Sequence, residues 1–272
     1  MKNFKFIPGI FKSPFDARDW KVRMLQSVGD EDNLPDELDL RKDNQSVRNQ
    51  GSQGSCAAMA AAAMKEFQEK KDYGLNEWLA PQFIYNLRSN YPEEGMYSRD
   101  LLKILQNKGV PKETTYPYGK IESGDKIKEN VLTEAELHKI KNYAAIETIT
   151  EFKKASYTNG ACLIAVPVYN YTGRMWKQNP GESFLGGHMM ETAGYCKDGI
   201  FIKNSWGSWD IDGYTLFPWE DWGIQWEIWT AVDEKTPQPI PPQPGKKIKW
   251  YWWVIGAVII VTGIIIKVFL VS

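Results

Sequence analysis

The chain has 272 residues, 43% hydrophobic and 25% charged, a balance that excludes wholesale disorder and fibrous repeats. Its 33 Lys and Arg against 34 Asp and Glu leave a net charge of −1, so no overall electrostatic pull toward nucleic acid is expected. The 3 Cys are too few, and odd in number, for a disulfide framework, and with only 2 His any imidazole chemistry must use His138 or His188.

Residues 1–33 read as an irregular arm, broken by Pro and Gly, in which Phe11, Phe15 and Trp20 suggest packing on a body. No apolar run of signal-peptide length follows the first residues, so secretion by an N-terminal signal is not expected. The run CAAMAAAAMKEFQEK over 56–70 is the strongest helix signal, with Gly51, Gly54 and Ser55 as turn and cap. Two further helices are predicted over 78–89 and 98–109, the latter with Ser98 as N-cap and Gly109 as stop. Residues 120–142 are charged; Thr133 and Glu136 have the spacing of a capping box, and His138 then falls on a solvated face. Beyond them, 161–169, 188–196, 199–206 and 213–219 are short β-rich runs. A helical half followed by a strand half predicts an α+β fold.

Residues 234–249 form a Pro-rich, basic linker (KTPQPIPPQPGKKIK from 235). It leads into WYWWVIGAVIIVTGIII and, through Val271, a run of 22 residues, about 33 Å of helix at 1.5 Å per residue and enough to cross a bilayer. Residues 250–271 are therefore expected to be a single transmembrane helix contacting the lipid membrane. Lys246, Lys247 and Lys249 outnumber Lys267 across it, which places the folded body on the cytoplasmic side.

Four residues combine into a reactive site. Cys56 opens the 56–70 helix, where free N–H groups and the helix dipole favour thiolate, the nucleophilic form. His188 enters a strand after Gly186 and Gly187, and Asn204 can fix the tautomer of an imidazole beneath a roof made by Trp206. Gln50 lies six residues before Cys56, where its amide and the Cys56 N–H can donate to an oxyanion. Taken singly, each of these is as easily a packing or turn residue.

Their order and separations, 132 residues from Cys56 to His188 and 148 to Asn204, resemble those of the papain-like cysteine peptidases. The matching stretches are DLRKDNQSVRNQGSQGSCAAMA (39–60), YPY (116–118), GGHMMETAGY (186–195) and KNSWGSWDIDGY (203–214), within residues 34–231. The lead-in PFDARDW is similar to that of bacterial and phage-type members. The resemblance implies a helical left domain and a β-barrel-like right domain over 34–233, a cleft between them, Cys56, His188 and Asn204 as catalytic residues, and Gln50 with Cys56 as oxyanion hole. It implies hydrolysis of peptide or protein substrates with no cofactor and no metal. Gln53 stands where many members have Cys, Ala57 where Trp is common, and Gly187 where plant members often have Asp. The region ahead of the domain is too short for the inhibitory pro-helices of lysosomal members. A catalytically silent peptide-binding or tethering module and a papain-like transpeptidase are the alternatives. Cys162 and Cys196 read as buried thiols.

Overall fold

The computed structural model describes residues 6–22 and 34–234. The expected membrane helix 250–271 and most of the linker lie outside the described residues. Among the described residues no helix is long and apolar enough to cross a membrane.

In chain order the elements are β1 (Ile10–Phe11), β2 (Leu38–Asp39), α1 (Cys56–Tyr73), α2 (Pro81–Asn86), β3 (Met96–Tyr97), α3 (Ser98–Asn107), α4 (Glu129–Ala135), β4 (Ile140–Ile146), α5 (Ile149–Asn159), β5 (Leu163–Val168), β6 (Gly186–Tyr195), β7 (Gly199–Lys203), β8 (Tyr214–Pro218) and β9 (Glu227–Asp233). One sheet runs β3-β1-β6-β5-β9-β4, with β2 and β7 also on β6 and β8 on β7. Every pair is antiparallel except β1 with β3.

Helix α1 is buried almost all round. Residues from Cys56 to Glu69 are covered, and the alanines at 57, 58 and 60–63 have no long side chain to hold the surrounding elements away. Gly74, at φ +68°, ends the helix in the left-handed region that an L side chain resists. Its polar residues are paired inside: Glu66 with Arg48, and Lys65 with Glu69 and Asp233.

Strand β5 divides two cores. Leu163 and Ala165 point into the core built on α1, whereas Ile164, Val166 and Val168 point into a second core with Phe152, Trp176 and Phe217. Successive strand residues face opposite sides, so a strand buried on both reads as continuous apolar sequence. The neighbouring strand β6 repeats the division, with Met189 on the α1 side and Met190 on the other.

Several expectations are corrected. Ser98 is the first residue of α3, not its cap: Tyr97 precedes the helix without a capping side chain, and the Ser98 hydroxyl is bonded to Glu227. Thr133 lies inside α4, four residues after Glu129, so its Oγ1 donates to the Glu129 carbonyl and caps no helix. The capping box in the structure is Thr148 with Glu151, at the start of α5. His138 is 1% exposed, with Nδ1 3.1 Å from Glu69. In the arm, Phe11, Phe15 and Trp20 are exposed, and the anchoring side chains are Phe6, Ile10 and Val22. Cys162 is buried as expected, Cys196 only partly so, and all three cysteines are free.

Candidate active site

Cys56 is the first residue of α1, and the turn before it is tied down from several sides. Gly54 N–H donates to Glu94 (2.8 Å), and Ser55 Oγ is bonded to Tyr118 OH (2.6 Å) rather than capping the helix. On the sheet side, His188 lies on β6 and Asn204 directly follows β7. His188 Nε2 is 2.7 Å from Asn204 Oδ1. That oxygen also accepts from Ser205 N–H at 2.7 Å, which fixes the amide orientation and makes Nε2 the protonated ring nitrogen. Trp206 stacks on the imidazole at 4.4 Å between centroids, keeping water off the bond. His188 Nδ1 has no hydrogen-bond partner among the described residues.

The segments around Arg48–Gln50 and Ser205–Gly207 are joined behind this pair. Gln50 N–H donates to the Ser205 carbonyl (2.8 Å), and Gly207 N–H donates to the Arg48 carbonyl (2.9 Å). Ser205 Oγ donates to Gln50 Oε1 at 2.8 Å, so the other end of the Gln50 amide, Nε2, is the donor. It donates to the Gln53 carbonyl at 2.9 Å and to the Ile7 carbonyl at 3.3 Å. Ser205, absent from the sequence-based set, has only its place between Asn204 and Trp206 as a signal.

The structure departs from expectation at the thiol. The helix start alone favours a thiolate; Cys56 and His188 are both 0% exposed. The cover is the arm. Phe6 stacks on Trp206 (4.7 Å between centroids, 7° apart), and its carbonyl accepts from Tyr171 OH. The Ile7 carbonyl occupies Gln50 Nε2, the Gly9 carbonyl accepts from Met96 N–H (2.9 Å), and Ile10 pairs with both Met96 and Gly187. Gly9 is required by close approach: a Cβ there would lie 1.9 Å from the Gly54 carbonyl oxygen. At Gly187 a Cβ would meet Trp226 at 2.2 Å and the Ile10 carbonyl at 2.5 Å, so no side chain fits there beneath the arm.

Burial under the arm sets the electrostatics. It pushes the Cys56 thiol up to about 11, only partly offset by backbone N–H groups of Met189 and Gly9 directed at the sulfur. Burial also lowers His188 to about 4, against the stabilising bond from Asn204. Thiol and imidazole are therefore both neutral at pH 7 in this closed form.

A helix that opens on a buried thiol, packed against the strand that carries the His of a buried His–Asn pair, is the arrangement of a papain-like fold of helices and a sheet. Residues 34–225 match the papain family of cysteine proteases, and the chain belongs to that family. Papain from Carica papaya is 28% identical over 198 residues (67% of this chain, 54% of papain's), and mouse cathepsin K is 31% identical over 205 residues (68% and 60%). The chain thus spans between half and three-fifths of the length of these relatives. Among solved structures, xylellain, a cysteine protease from Xylella fastidiosa, superposes with a TM-score of 0.73 at 23% identity, covering 85% of this chain and 97% of its own. Recombinant stem bromelain precursor has a TM-score of 0.61 at 25% identity, covering 74% and 71%. The papain-like fold of helices and sheet is therefore that of this chain.

Proposed function

We propose that the chain is a thiol endopeptidase, latent while residues 6–11 cover its cleft, which hydrolyses peptide bonds through Cys56, His188 and Asn204. The observation that carries the reading is the His188–Asn204 bond of 2.7 Å, sealed under Trp206 on the strand against which the helix opening at Cys56 packs. A buried ring held in one tautomer with its second nitrogen left free is what a proton shuttle needs.

Once the arm leaves, water and substrate enter, and the desolvation that raises the thiol and lowers the imidazole is relieved. The proton then moves from Cys56 Sγ to His188 Nδ1, and the helix start together with the imidazolium stabilises the thiolate. The sulfur attacks the peptide carbonyl carbon. The oxyanion is held by Gln50 Nε2, freed of the Ile7 carbonyl, and by the Cys56 N–H. His188 returns its proton to the leaving amine as the C–N bond breaks, leaving a thioester. Water, deprotonated by His188, releases the acid and regenerates the thiol.

We further propose that residues 250–271 tether the domain to a membrane, with the linker 234–249 as a spacer and the domain on the cytoplasmic side. The support is the uncharged run from Trp250 to Ile266 and the lysines before it. An origin among bacterial or viral members is proposed on the lead-in PFDARDW.

The test uses the full chain, a thiol-trapping epoxide and unfolded casein. Wild type should be labelled slowly at Cys56, Gly9→Ala should be labelled and cleave casein faster, and Cys56→Ala should do neither. A Gly9→Ala protein that folds, yet is neither labelled at Cys56 nor active, refutes the reading.

A further inference from the structure

The far side of Asn204 faces a small polar cavity that the mechanism above leaves unused. Asn204 Oδ1 is taken by His188 and by Ser205 N–H, so Nδ2 is the remaining end of the amide. It is buried without a hydrogen-bond partner among the described residues. The cavity it lines has about 20 Å³ open to water, room for one molecule. Ser46 is its exposed lining residue, and two acids and two bases, Glu66, Glu191, Arg48 and Lys203, line it from inside. The sheet register sets their places: Glu191 on β6 lies opposite Lys203 on β7, and Asn204 directly follows Lys203. Lys203 Nζ is 3.1 Å from Glu191 Oε2. Arg48 is bonded to Glu66 and to the Leu79 carbonyl (2.9 Å), and Glu66 also accepts from Leu79 N–H (2.9 Å). Among the lining side chains, the buried oxygens left without a hydrogen-bond donor are those of Glu191. A buried amide N–H and a buried carboxylate oxygen on the walls of one water-sized cavity are the two ends of a bridge.

We infer that Glu191 is a positioning residue for His188: one water in this cavity accepts from Asn204 Nδ2–H and donates to Glu191 Oε1, so the carboxylate holds the amide whose other end holds the ring. This rests on the peptidase reading above. A carboxylate at the end of the chain draws electron density toward Asn204 Oδ1, strengthens the bond that oxygen accepts from Nε2–H, and favours the imidazolium that pairs with the thiolate. The groups facing Glu191 are Lys203 on β7, Arg48, Glu66 on α1 and Tyr214 on β8, while β5 opposes it with Leu163. Burial pushes the Glu191 carboxyl up, and the two cations act against that. A competing donor lines the same cavity: Arg48 Nε is also buried without a hydrogen-bond partner, and a water held between Arg48 and Glu191 alone leaves Asn204 uncoupled.

The experiment is a double-mutant cycle in the full chain carrying Gly9→Ala, read as the initial rate of hydrolysis of fluorescently labelled unfolded casein at low substrate across neutral and alkaline pH. Glu191→Gln removes the charge at nearly constant shape and should lower the rate at pH 7 by about 5-fold or more. A less favoured imidazolium loses its proton at lower pH, so the alkaline limb of the profile should move down by about 0.5 pH unit or more. In an Asn204→Ala background the same substitution should change the rate less than about two-fold and leave the limb in place, because the link is already cut. Glu191→Gln/Lys203→Met, which leaves no orphaned charge at that position, gives the same comparison if the single variant folds poorly. An effect of equal size with and without Asn204, or an alkaline limb that stays where it is in the parent, overturns the inference and leaves the peptidase reading in place; it is the result expected if the water belongs to Arg48. An inactive Gly9→Ala parent with Cys56 unlabelled overturns both.

Discussion

Asn204 and Gly9 act on the same few ångströms in opposite senses. Asn204 Oδ1 holds the His188 ring, and Asn204→Ala leaves Nε2 without its partner in a site closed to water. The expected outcome, in a Gly9→Ala background, is a fall in kcat of about 10²-fold or more, with a smaller change in KM, because the orientation of the base is lost rather than substrate binding. Steady-state peptide hydrolysis measures it; a kcat within two-fold of the parent would remove Asn204 from the mechanism. Gly9→Ala by itself places a Cβ against backbone at Gly54, which cannot yield as a flexible side chain would. It should raise the rate of epoxide labelling of Cys56 by more than 10-fold without unfolding the domain. Mass spectrometry over a time course reads this directly. Gln50, Cys56, His188 and Asn204 stand out in the sequence because their chemistry is tied to residue type. The arm residues over them do not, since nothing in Phe6-Ile7-Pro8-Gly9 says what it covers.

At the scale of elements, α1 is held by charges as well as by alanines. Arg48, 9% exposed, is paired with Glu66 and lies 3.1 Å from Glu113, and burial pushes Glu66 up to about 7 against the pull of that guanidinium. Arg48→Met leaves Glu66 buried without its cation. The expected cost is about 3–5 kcal/mol in urea unfolding, partly recovered in the Arg48→Met/Glu66→Gln double variant, where the orphaned charge is gone. Thr148→Ala should cost about 1 kcal/mol through loss of the α5 capping box. Helix α1 was plain in the sequence from its Ala, Met, Glu and Lys content. Helix α5 is faint in the sequence although Thr148 and Glu151 carry its capping signature, because ITEFKKASYTN has β-branched residues and only Phe152, Ala155 and Ser156 on its buried face. Strands β4 and β9 are faint for a similar reason. Each borders charged sequence, and their apolar character appears only when they pair with one another and with β5.

For the molecule as a whole, the closed state responds to acid. His188 is held at about 4 in the closed form, against about 6.5 for an unperturbed imidazole. In Cys56→Ala, where no thiol can supply the proton, a state that lets the ring meet water therefore binds one from solvent between pH 6.5 and 4 while the closed state does not. Stability of the closed state is complete above about pH 6.5 and declines as pH falls through that window. Hydrogen exchange at residues 6–11 of Cys56→Ala, corrected for intrinsic rates, should show protection falling several-fold from pH 7 to pH 5, and adding His188→Gln should flatten that dependence. Equal protection at both pH values would show that His188 is not coupled to the cover.

The sequence alone carried the α+β division, the candidate site residues and the family resemblance, because helix propensity, strand runs and the chemistry of Cys, His and Asn are properties of residue type and spacing. Only the tertiary structure decided that His138 is internal, that Gln50 Nε2 is taken up by the arm, and that Cys56 and His188 are neutral. Those are consequences of desolvation and of contacts between residues as far apart as Ser13 and Glu227, and neither burial nor a long-range partner is written in local sequence.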